Sequence, residues 1–168
     1  MKITQNDVNE TTEVALLITK IDSLDAESLN SILDEIFLKQ PFFLTVLLGH
    51  RFDVSPQELE EIMKIYLLIW EYFKSKKNVQ RKKVTEGYFE QIQDRNIQML
   101  KYAKSEPAKN DKQKIYSNDL ENLKSKALLT AVLYRYINRP ILLKMDEEKK
   151  GTIYMGIKTF IECFEAIE

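Results

Sequence analysis

Four glycines and four prolines in 168 residues leave little turn chemistry for a fold built on tight hairpins. Strands joined by close turns consume those residues, whereas helices joined by a few loops do not. A single cysteine, Cys163, excludes an intramolecular disulfide. Length makes one unnecessary, because a chain of this size buries roughly 70% of the surface its unfolded form exposes. His50 is the only histidine. A tetrahedral zinc site would have one imidazole and one thiol to draw on, and the Glu-x-x-His pairs of di-iron bundles are missing. No metal or cofactor is expected. There is no Gly-rich phosphate loop, no Gly-x-Ser-x-Gly elbow and no kinase signature, so no catalytic residue can be named and the expectation is a protein that is not an enzyme. Long hydrophobic runs are also lacking: the longest nearly apolar stretches are far short of the ~20 residues that span a bilayer. The opening Met-Lys-Ile-Thr-Gln-Asn-Asp-Val carries no secretory apolar core and no Arg/Ser-rich transit pattern, which makes cytoplasm the expected compartment and a membrane an unexpected partner.

What the chain does have is an ordinary globular composition, 44% hydrophobic and 30% charged. Its net charge of −1 hides a strong asymmetry. Residues 1–73 carry 5 basic and 13 acidic side chains, a balance of −8. Residues 74–114 carry 12 and 5, a balance of +7, and residues 115–168 carry 8 of each. Two oppositely charged regions cancel.

Apolar residues recur at helical spacing throughout, and about three quarters of the chain reads as helix. The periodicity predicts a first helix over about 10–21, with Val14, Leu17, Ile18 and Ile21 on one stripe. Asp25 is placed to cap a second helix whose core face is Leu29, Ile32, Leu33, Ile36 and Phe37. Pro41 ends it or opens a short greasy segment over 42–48, which Gly49 would stop in the left-handed conformation. Ser55-Pro56-Gln57-Glu58 is the clearest local signal: a serine N-cap, a proline at the first helical position and a glutamate three residues on form a capping box. The helix it opens runs to about Lys74. Only Lys64 and Glu71 are charged between Ile62 and Phe73, so it should be buried at the centre of the protein. An amphipathic helix over about 84–103 carries Tyr88, Ile92, Met99 and Tyr102. Residues 105–117 have the composition of a mobile linker. Asn118 or Asp119 should cap a long helix to about Asn138. After Pro140, a last helix over about 147–167 presents Ile153, Ile157, Phe160, Ile161 and Phe164.

The expected fold is therefore all-α, a single compact helical bundle of about seven to eight helices. The two halves, 8–75 and 84–167, show a faint internal resemblance. Gln40-Pro41-Phe42-Phe43-Leu44 parallels Arg139-Pro140-Ile141-Leu142-Leu143, and Ile62, Glu71 and Phe73 align with Ile153, Glu162 and Phe164 across a gap.

Three groups of residues invite a functional reading. The basic stretch Lys76, Lys77, Arg81, Lys82 and Lys83 could meet phosphate, although lysines also complement the negative pole at a helix end. Lys64, Trp70 and Glu71 could line a small-molecule pocket in the bundle, although core packing accounts for the aromatics equally well. His50, in a loop, and Cys163, beside Glu162, read more simply as a helix-end histidine and a buried small side chain than as a base and a nucleophile. The favoured expectation is a non-enzymatic interaction or regulatory module that meets another protein or a second copy of itself. Nucleic-acid binding through 74–83 is the alternative, and a ligand-binding bundle comes after it.

Overall fold

The computed structural model describes residues 4–107, 111, 114, 118 and 121–168, and these build an all-helical protein. Its helices are α1 (Gln5–Asp22), α2 (Ala26–Lys39), α3 (Pro41–Gly49), α4 (Pro56–Phe73), α5 (Lys77–Arg81), α6 (Glu86–Ser105), α7 (Lys126–Asn138), α8 (Pro140–Leu143) and α9 (Glu147–Ile167), with a 3₁₀ turn at His50–Phe52. There are nine α-helices among the described residues, close to the expected bundle. Most of the 105–117 segment expected to be a mobile linker lies outside the described residues; its first residue, Ser105, closes α6.

Local chemistry starts most of these helices where the sequence indicates. Asp25 accepts the Ser28 amide at the head of α2. At α4 the capping box is complete, with the Glu58 amide donating to Ser55 Oγ and the Ser55 amide to Glu58 Oε2. Replacing Ser55 by alanine should therefore destabilise the protein by about 1 kcal/mol, read as a shift of the urea midpoint. No change would mean that tertiary packing alone fixes the start of α4. A second box, Thr4 with Asp7, begins α1 several residues earlier than the apolar stripe implied.

α4 is the central helix. Every residue from Ile65 to Phe73 is buried, Glu71 included. α1 packs along α4, and α6 packs along α9. α2 runs into α3 as α7 runs into α8. An aromatic cluster joins the two halves: the Phe160 ring lies 4.8 Å from Phe43, edge to face, and 4.4 Å from Phe89, while Phe164 lies 5.2 Å from Phe43. Aromatic pairs in such geometry add to the area they bury, so α3, α4, α6 and α9 are fastened at one point.

Three expectations are corrected. Gly49 keeps a right-handed conformation, φ −62°, because the chain continues straight into the 3₁₀ turn instead of reversing. The long helix from Asn118 is interrupted, and α7 begins only at Lys126. The Ser125 amide donates to Glu165 Oε1 on α9 at 2.7 Å, a tertiary bond that competes with helix continuation. Phe37, assigned to the core face of its helix, is exposed. For α2, Ile32 and Ile36 supply the buried contact, and Phe37 lies one residue beyond that stripe.

Candidate functional site

Lys64, Trp70 and Glu71 share α4 but enter separate networks. Lys64 Nζ pairs with Glu60 and Glu61 on its own helix, at 2.9 and 3.2 Å. Burial opposes its charge, but the two carboxylates outweigh that and hold its pKa above the ordinary lysine value. Glu71 is enclosed and takes Lys20 from α1 at 2.6 Å and Lys74 at 2.7 Å. Trp70, fully buried, donates its indole N–H to Glu35 Oε2 at 3.0 Å, and Lys74 reaches the same oxygen at 3.3 Å. The Lys74 amine is likewise raised in pKa, because Glu71 and Glu35 overcome the cost of burial. Lys20, Glu35 and Lys74 form part of the wall of an open groove of about 730 Å³ bordered by Asp25, Glu27, Ser28 and Ser31. Lys20, Glu35 and Lys74 are all ion-paired and Asp25 holds the Ser28 amide, while Trp70 itself is sealed beneath the groove.

Two further charge clusters knit the ends of the chain together. Arg135, almost wholly buried, donates to Asp22 Oδ1 at 2.9 Å, and Arg139 donates to Asp22 Oδ2 at 2.8 Å. On the other side, Lys158 and Arg95 both pair with Glu162, and Asn96 bonds to Lys158, Thr159 and Glu162. The aligned residues Glu71 and Glu162 thus each draw a cation from the first helix of their own half, α1 for one and α6 for the other. Nothing in a single helix's periodicity announces these partners. They become visible only when distant helices pack.

His50 Nε2 lies 3.0 Å from the hydroxyl of buried Tyr66. Burial pulls the imidazole pKa below its ordinary 6.5, and Asp53 only partly opposes this. The neutral ring belongs to the folded state, so its contribution is complete above about pH 6.5 and is lost as pH falls through the folded-state value. A His50→Asn variant should therefore show a flatter stability profile below about pH 6.5 than the parent. Parallel profiles would mean that the ring titrates alike in both states. Cys163 is buried, and its thiol is pushed up to about 12 by that burial and by Glu162. Such a thiol is protonated and inert at neutral pH. Among the described residues no group of three or more His, Cys, Asp or Glu side chains could hold a metal ion.

Two surface features stand apart from these closed networks. Lys76, Lys77, Arg81, Lys82 and Lys83 are all exposed. Their segment is held from below by Gln40, a buried residue whose side-chain N–H₂ donates to the carbonyls of Val79 and Lys82, both at 2.8 Å. Its Oε1 accepts the Val84 amide at 2.9 Å. Val79 and Val84 point inward and anchor the same stretch. The second feature is apolar. Leu133, Tyr134, Ile137, Ile141 and Leu143 on α7 and α8 are exposed. Tyr134 also walls a groove of about 410 Å³ between α1 and α7, with Val14, Ala15, Ile18 and Ala131 beside it and Asp7 and Glu10 at one end. The warning in the sequence was density: α7 has apolar side chains in more directions than one buried stripe can absorb.

No helix among the described residues is long and apolar enough to cross a membrane. Comparison of the chain with protein-family models, curated proteins and solved structures gave no match.

Proposed function

We propose that this chain is a non-enzymatic, protein-binding helical module whose contact surface is the exposed apolar face of α7 and α8 together with the α1–α7 groove. The observation that carries this reading is the cluster of five large apolar side chains exposed within residues 133–143. Scattered exposed leucines are normal on a protein surface, but such a concentration beside a groove is the mark of an interaction site. Asp7, Glu10 and Lys126 border the groove, and Glu10 is already held by the Tyr72 hydroxyl and the Ala127 amide. The complementary partner is an amphipathic helix whose apolar stripe is laid into the groove. The buried charge clusters support the same reading indirectly, because their members are paired with one another and serve cohesion.

The test is affinity capture from the protein's own cell lysate, half of it nuclease-treated, with the parent compared with a Tyr134→Lys/Ile137→Lys variant. Both positions are exposed, so the variant should fold normally by circular dichroism. A specific protein that survives nuclease and is lost from the variant is the expected result. Identical capture by both proteins would end this reading.

A further inference from the structure

We propose that the basic segment 77–83, with Phe37 and Lys39 beside it, is a binding site for single-stranded nucleic acid, independent of the apolar face on α7 and α8. Lys77, Arg81, Lys82 and Lys83 are exposed and have no ion-pair partner among the described residues. Lys76 differs, since it leans on Glu168 at 3.7 Å. Many of the other lysines and arginines meet carboxylates, among them Lys20, Lys64, Lys74, Arg95, Arg135, Arg139, Lys150 and Lys158. Others, such as Lys39 and Lys144, have no ion-pair partner among the described residues, so what marks this segment is four such cations within seven residues.

The cations are also held in place. A solvated charged tail needs no fixed backbone, yet here Gln40 spends its whole amide on the segment, and Gln80 adds a bond from its side-chain nitrogen to the Lys74 carbonyl at 2.7 Å. Fixing the backbone lowers the ordering cost of meeting a chain of phosphates. Gln40 directly follows Phe37, Leu38 and Lys39, the exposed last residues of α2, so the end of that helix abuts the segment. An exposed aromatic ring beside unpaired cations is the arrangement that binds single strands, with phosphates on the cations and a base stacked on the ring. α5 has five residues, too few to enter a duplex groove as a reading helix.

The patch lies far from the α8 end of the proposed protein-binding face and near the Lys126 end of the α1–α7 groove, since Lys124 also reaches Glu168 at 3.7 Å. α9 approaches α8 at its start, where Lys150 Nζ bonds to the Leu143 carbonyl, and ends beside Lys76 at Glu168. Its 21 residues span about 30 Å, which separates the patch from α8.

The experiment is fluorescence anisotropy with a labelled, unstructured single-stranded RNA and the equivalent DNA, using the full chain at several salt concentrations. Five phosphate contacts, from Lys39, Lys77, Arg81, Lys82 and Lys83, predict a logarithmic salt slope of about −3.5, or roughly 100-fold weaker binding at 200 than at 50 mM salt. Reversing the charge at Lys77, Arg81, Lys82 and Lys83 should abolish binding, and Phe37→Ala should weaken it about tenfold with the slope unchanged. A single Lys82→Glu variant, expected to lower the slope by about 0.7, serves if the multiple variant loses its helical circular dichroism. Absence of binding at 50 mM salt, a slope near zero, or tighter binding to phosphatidylserine vesicles than to either strand would overturn the proposal. Failure here leaves the α7–α8 reading intact, because Tyr134→Lys/Ile137→Lys should leave strand affinity unchanged.

Discussion

Replacing Phe160 by alanine is expected to destabilise the protein by about 4 kcal/mol, near the upper end of single-residue effects. The ring is fully buried and touches Phe42, Phe43, Tyr66, Phe89 and Phe164. Those neighbours come from α3, α4, α6 and α9, so no single helix can shift to fill the space. Collapse would have to move elements from both halves, and the cavity term should stay close to its maximum. Urea unfolding followed by circular dichroism reads the loss as a lower midpoint at unchanged slope. A cost below about 1 kcal/mol would show that the aromatic cluster can repack, and the fold would then rest on the separate helix pairs.

Gln40→Ala should be nearly as damaging, by about 3 kcal/mol, for a different reason. The side chain removed is polar and small, so the loss of apolar burial is minor. What remains are the Val79 carbonyl and the Val84 amide, both bonded to Gln40 out of contact with water. Each buried group left without a partner costs roughly 1–3 kcal/mol. The disruption should be local: amide hydrogen exchange at Val84 should accelerate far more than exchange within α4. Gln40→Glu is the sharper variant, since it preserves shape and the Val84 bond but sets a carboxylate against two carbonyl oxygens. It should lose at least as much stability as the alanine variant at neutral pH and recover some in acid, where a protonated carboxyl can donate once. Exchange that speeds up uniformly across the protein in either variant would show that Gln40 supports the whole core and not the 77–84 segment. Phe160→Ala supplies the contrast, as it should loosen both regions together.

The two residues also mark how much of this protein can be read from its sequence. Phe160 is legible: it lies on a stripe with Ile153, Ile157, Ile161 and Phe164, and all five are buried. The same is true of the Ser55 capping box and of α4 as the central helix. These depend on neighbours within about four residues, which is the range over which helical periodicity and end-capping act. Gln40 is not legible in that way. Its partners are 39 to 44 residues away, and a glutamine before a proline looks like any other loop residue until the segment it holds is folded against it.

The candidate surfaces divide along the same line. The basic stretch was visible as composition, but composition could not separate Lys74, neutralised by Glu71 and Glu35, from Lys77, Arg81, Lys82 and Lys83, which meet no carboxylate among the described residues. The apolar side chains of α7 were visible too, but only as density, with nothing to say which of them face the core. Only packing shows that α7 spends Leu128, Leu129, Val132 and Tyr136 on the interior and leaves Leu133, Tyr134 and Ile137 outside.

By itself the sequence determined the helical class, the position of most helix starts, the burial of α4 and the uneven distribution of charge, because each follows from residues close in the chain. The tertiary structure alone decided which charges are paired, where α7 begins, and which apolar side chains face solvent. Those outcomes depend on contacts between helices remote in sequence, where desolvation and packing outweigh any local preference.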